Sequence, residues 1–77
     1  MALLTYWIIK HQSHGYFNRW GYDPDTGRWR PFFIWPEPQS DWRKVKRFYI
    51  RRKAEQELLK LLPVVGDCYL VMVPSGS

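Results

Sequence analysis

Apolar positions along this chain fall in short β-branched and aromatic runs separated by polar turns, and only one stretch carries a helical period. Residues 4–11, Leu-Thr-Tyr-Trp-Ile-Ile-Lys-His, are β-branched and aromatic, which predicts a first strand. Tyr6 and Ile8 fall on one face and Trp7 and Ile9 on the other, so the strand is expected to be central or covered on both sides. Gln12-Ser-His-Gly15 predicts a turn, and residues 16–22 a second strand that closes a hairpin. Asp23-Pro24-Asp25-Thr26-Gly27 combines a fixed φ, side chains that bond nearby amides and a glycine tolerant of positive φ, which predicts another reversal. Residues 28–35 form the third predicted strand. Pro31 has no amide hydrogen to donate, so an edge position or a bulge is expected there. Pro36-Glu37-Pro38-Gln39-Ser40 predicts a stiff connector.

The next segment, 41–62, carries two stripes out of phase. Ile50, Ala54, Leu58, Leu61 and Leu62 share one helical face, while Trp42, Val45 and Tyr49 follow another. The mismatch predicts a short helical turn or strand over 41–49 and a main helix over 51–62, ended by Pro63. Lys53 and Glu57 stand four apart, at the spacing of an ion pair. Residues 68–73, Cys-Tyr-Leu-Val-Met-Val, are apolar on both faces and predict a last, central strand before a frayed tail over 74–77. The expected fold class is α+β: one domain spanning 1–77, with a three-stranded meander, one helix packed on one face, and a C-terminal strand returned to the sheet.

Composition explains how a 77-residue chain stays folded without a staple. One cysteine, Cys68, excludes an internal disulfide. Fourteen aromatic residues stand in its place, each removing roughly 150–250 Å² from water when buried. A thin core does not hold them all, so some are expected at the surface. No run approaches the ~20 apolar residues of a membrane span. A lone cysteine and no signal-peptide core point to the cytoplasm.

Catalytic patterns are weak. His11-x-x-His14 with Cys68 has the residue types of a zinc site but needs convergence from distant elements; two solvated turn histidines are the plainer expectation. Cys68 lies within an apolar strand, where burial raises a thiol pKa. Asp23 and Asp25 are accounted for by the turn, and Glu55 and Glu57 face different directions on a helix. No glycine-rich phosphate loop occurs. The chain is expected to bind, without catalysis, cofactor or metal.

The charge is +5, and its excess is local. Residues 1–40 hold four basic and three acidic groups; residues 41–62 hold eight and three. Arg43, Lys44, Lys46, Arg47, Arg51, Arg52 and Lys53 place seven cations in eleven positions. Such a run suits phosphate or an acidic protein surface, or simply keeps an aromatic-rich chain in solution. Arg19-Trp20 and Arg28-Trp29-Arg30 interleave charge with flat rings, as a platform for single-stranded nucleic acid does. Trp20, Trp29 and Trp35 are the candidate anchors. Self-association through the edge strand containing Pro31, or through spare aromatic surface, is a further option.

Tyr6-Trp7-Ile8-Ile9-Lys10, Gly15-Tyr16-Phe17, Thr26-Gly27-x-Trp29, Val45-Lys46-Arg47-Phe48, then Ala54, Leu58 and a closing Val/Leu strand resemble the small ββ(β)αβ proteins of phages and mobile elements. Some of that group are anti-CRISPR-type inhibitors. The resemblance covers most of the chain through core positions and implies a non-catalytic inhibitor of a host nucleic-acid-handling or defence complex, with a basic face for an acidic protein patch. The alternative is a small basic protein that binds single-stranded DNA or RNA.

Overall fold

A computed structural model describes residues 5–36 and 42–74, except the side chain of Trp42. In chain order they form β1 (Thr5–His11), β2 (Gly15–Asp23), β3 (Arg28–Ile34), a 3-10 turn (Trp42–Lys44), α1 (Arg51–Val65) and β4 (Cys68–Pro74). The strands make one antiparallel sheet in the order β3-β2-β1-β4, with α1 on one face. This is the expected α+β arrangement, and the connector over 37–40 and the tail over 75–77 lie outside the described residues.

Strand alternation sorts the side chains between two faces. Ile9, Phe17 and Cys68 point to α1 and enclose Leu61; Trp20, Phe33, Phe48, Leu58, Val65 and Leu70 pack around them. Each fully buried Ile, Leu or Phe contributes roughly 1.5–3 kcal/mol. Tyr6, Ile8 and Lys10 occupy the other face of β1, and Val71 and Val73, paired with Ile8 and Tyr6, the same face of β4.

The two central strands pair only at one end. Lys10 meets Tyr16 and His11 meets Gly15, after which β2 bulges between Phe17 and Arg19 and leaves β1. Residues 45–48 enter the gap. The Lys46 amide donates to the Phe17 carbonyl at 2.9 Å, and Phe48 and Trp7 exchange a pair of backbone bonds at 2.8 Å. The described part of the 41–49 segment, from residue 42, is thus a helical turn followed by a strand-like bridge, and it satisfies backbone groups that the splayed strands leave open.

His11 holds the β1–β2 turn. Its Nδ1 accepts from the Ser13 and His14 amides at 2.9 and 3.0 Å, which leaves the ring proton on Nε2, 3.2 Å from the Val65 carbonyl it donates to. The ring is buried, so the expectation of two solvated histidines is corrected for His11; His14 is exposed and stacks on it at 4.2 Å. Gly15 follows with φ +98°, and a Cβ there would lie on the Ile34 carbonyl oxygen, so both backbone and space require glycine.

Three expectations change. Strand β4 is an edge strand, not a central one. Its two apolar faces have two separate neighbours: α1 on one side, and Val45 with Tyr6 on the other. Pro63 does not end α1, which continues to Val65. In the last turn, proline removes one intrahelical bond only, Val65 packs on the core, and the Gly66 amide closes on the Leu62 carbonyl at 2.9 Å. Lys53 and Glu57 do not pair. Glu57 turns toward β2, where the Trp20 indole donates to it at 2.8 Å, and Lys60 stands 3.8 Å away.

Candidate functional site

The sheet face opposite α1 collects cations and rings. Alternation places Lys10 of β1, Arg19 of β2, and Arg28 and Arg30 of β3 on it, and Arg47 reaches it from the inserted segment. The strands contribute a single acid to this face, Asp23, which Arg30 holds at 2.9 Å.

The cations lie on aromatic rings. The Arg19 and Arg30 guanidinium carbons stand 4.9 and 4.5 Å from the Phe32 ring centre, and that of Arg47 stands 5.1 Å from Tyr6. The Lys10 ammonium is 5.5 Å from Tyr16 and 5.8 Å from Trp35, two rings that meet edge to face. Such contacts hold long side chains extended over the sheet and keep their charge at the surface. Gly21 makes the Phe32 stack fit. Any Cβ at that position would enter both the Arg19 guanidinium and the Phe32 ring.

Two depressions adjoin on this face. One, of about 320 Å³, is apolar: Ile8, Val45, Val71 and Val73 line it with the Tyr6 and Tyr16 rings and Arg47. The second, of about 410 Å³, is lined by Arg43, Lys44, Lys46 and Arg47 with Asn18 and Val45. They share Val45 and Arg47. An apolar slot with aromatic walls beside a cationic cleft offers separate places for a planar ring and for an anion.

The basic run spreads over two adjoining grooves that share Lys46 and Arg47. Arg43, Lys44, Lys46 and Arg47 gather in the cleft. Arg51, Arg52 and Lys53 sit exposed on the first turn of α1, where Arg51 pairs with Glu55 at 3.6 Å and Lys53 lines a neighbouring groove that Lys46 and Arg47 also line. The three tryptophans divide. Trp35 joins the cationic face, Trp20 is taken up by the core and by Glu57, and Trp29 is 70% exposed beside Tyr22 at the far end of the β2–β3 ribbon. Sequence reasoning did not single out Tyr6, Tyr16 and Phe32. Gly21 between aromatic strand neighbours was the available signal, because a glycine inside a strand marks close approach by another group.

Cys68 stands opposite His11 across the β1–β4 pair, but both His11 nitrogens are engaged by backbone groups. Burial, and secondarily the Asp67 carboxylate, push the Cys68 thiol pKa up, which keeps it protonated. Among the described residues no three of His, Cys, Asp and Glu gather closely enough to hold a metal ion, and no helix is long and apolar enough to cross a membrane. No family model matches the chain, and neither curated proteins nor solved structures provide a match.

Proposed function

We propose that the protein is a non-catalytic binding module whose open sheet face takes single-stranded nucleic acid. The observation that carries this reading is the shared wall between the apolar slot and the cationic cleft at Val45 and Arg47. A base fits against Tyr6 and Tyr16 while its phosphate meets Arg43, Lys46 and Arg47. The Arg19–Phe32–Arg30 stack continues the same chemistry toward β3. Stacking on an aromatic ring contributes about 1–3 kcal/mol per base and phosphate contacts add a salt-dependent term, without sequence preference.

Fluorescence anisotropy of labelled oligothymidine and oligouridine, over a range of salt, tests this. Arg47→Ala is expected to weaken binding and lower the slope of log K against log salt by about 0.7, the value for one single-strand phosphate contact. Tyr16→Ala is expected to cost about tenfold in affinity, within the range of one lost stack, and to leave the slope unchanged. Absence of binding by the parent, or slopes that ignore Arg47, overturns the reading.

The exposed Tyr22–Trp29 pair favours a second reading, in which the module docks on an acidic protein surface of a larger host complex, as an anti-CRISPR-type inhibitor would. Trp and Tyr are common interface anchors, and arginines suit the rim. Under that reading Trp29→Ala abolishes capture of the complex from nuclease-treated lysate and leaves oligonucleotide binding intact.

A further inference from the structure

The two edges of the sheet are built differently. On β3, Pro31 lacks an amide hydrogen, and Arg28 and Arg30 flank it with charge, two devices that discourage another strand from adding there. Strand β4 has neither. Residues Cys68–Val73 contain no charge and no proline, and no described residue pairs with the outer edge. Its free backbone groups can be assigned. The Gln12 amide donates to the Asp67 carbonyl, and Trp7 directs its backbone bonds to Phe48 on the opposite side of β1. Tyr69, Val71 and Val73 therefore bond inward to β1, whereas Leu70 and Met72 present N–H and C=O outward.

An apolar rim flanks this edge. On the α1 side, Glu57 reaches Trp20 of β2, so the opposite flank of the helix overhangs β4. Leu59 and Leu62 lie on that flank, and Leu59 is 67% exposed. Met72, 61% exposed, lies beside them on the same face of β4.

We propose that β4 is the interface between two copies of this chain, paired antiparallel about a two-fold axis at Val71. That register sets Leu70 opposite Met72 of the second copy and Met72 opposite its Leu70, so the four outward groups of each copy are satisfied in four hydrogen bonds. Val71 meets Val71 on the open face, and Leu59, Leu62 and Met72 meet their counterparts under the helices. A second copy is the occupant that fits. The edge is self-complementary, and β4 is neutral on a chain of net charge +5; the helix stripe of Leu59 and Leu62 also carries Arg51 and Glu55, which pair at 3.6 Å and bring no net charge to the seam. An acidic partner would gain little here, because Arg51 on this flank is already paired with Glu55 and the strand cations lie on the opposite sheet face. The result is one eight-stranded sheet with a continuous open face.

Sedimentation equilibrium of the full chain over a concentration series, joined to amide hydrogen exchange, tests the pairing. The parent is expected at twice 9.4 kDa. Its Leu70 and Met72 amides should be protected alongside Tyr69 and Val71. Met72→Lys and, independently, Leu59→Lys on the exposed helix flank should halve the mass. They should strip protection from Leu70 and residue 72 while Tyr69 and Val71 stay protected, which shows that the monomer is folded. A parent that is monomeric at every concentration, an addressed peptide strand protecting the edge of a monomer, or a dimer that neither substitution splits overturns the proposal. These outcomes are separate from oligonucleotide binding, since the monomeric variants keep Arg47, Tyr6 and Tyr16.

Discussion

The two faces of the sheet use the same residue types for opposite ends. Under α1, rings and aliphatic groups interlock: Phe17 touches Trp20 and Phe33 edge to face, at 6.3 and 5.8 Å, around buried Ile9 and Leu61. On the open face, Phe32, Tyr6, Tyr16 and Trp35 meet cations where the other face has carbon. A ring surrounded by carbon stabilises the fold. A ring held beneath a guanidinium at the surface contributes less to folding and remains available to a ligand. The chain thus spends its many aromatic residues on both a core and a surface.

The largest effects should separate those faces. Leu61→Ala is expected to destabilise by about 2–5 kcal/mol and Phe17→Ala by about 3–5 kcal/mol, as buried truncations do. Phe32→Ala should cost about 1–2 kcal/mol, since it loses two exposed cation–π contacts of roughly 0.5–1 kcal/mol each. Urea unfolding of the three variants measures this. An equal loss at Phe32 would make the open face a second core and remove the contrast.

How far the sequence discloses this contrast depends on where the deciding information lies. The strands, the helix start and the two reversals were legible because β-branched and aromatic runs, Pro-Asp-x-Gly chemistry and a 3.6-residue stripe are local. The edge position of β4 was not, because an apolar strand face looks the same whether a helix or an inserted loop covers it. Pro63 misled because its cost depends on how many turns follow it. The basic run reads as one patch along the chain, yet in the fold it spreads over two adjoining grooves, Arg43 and Lys44 lining one, Lys53 the other, and Lys46 and Arg47 both. That arrangement follows from residues 45–48 filling the β1–β2 gap, a contact between distant segments that no local pattern announces.

A smaller effect is expected at the join between the faces. His11→Ala leaves the Ser13 and His14 amides and the Val65 carbonyl without their partner, at about 1–3 kcal/mol for partly buried unsatisfied groups. His11→Ala should also speed exchange of the Ser13 and His14 amides more than that of Tyr69, because the loss is local to the turn. Uniform acceleration across the sheet would instead make His11 a general core residue.

The smallest expected change also tests which cations bind. The first turn of α1 begins at Ile50, whose extended backbone, φ −119° and ψ 118°, suits a cap, but whose side chain supplies none. Arg51, Arg52 and Lys53 then place three cations at the positive end of the helix, with no acid in the first turn. Ile50→Asp should accept a bond from an orphan amide and offset that charge, raising stability by about 1 kcal/mol. In a domain this size the gain corresponds to roughly 4–8 °C in Tm. If the open face is the binding surface, oligonucleotide affinity should fall by no more than about two- to threefold, because Ile50 lies in the groove beside Lys46 and Arg47, where one added charge acts through screened solvent. A tenfold fall accompanying the gain in Tm would relocate the anion site to the helix start. Arg51, Arg52 and Lys53 would then be the cations that matter, and the Arg19–Phe32–Arg30 stack would be a device for holding the β2–β3 ribbon flat.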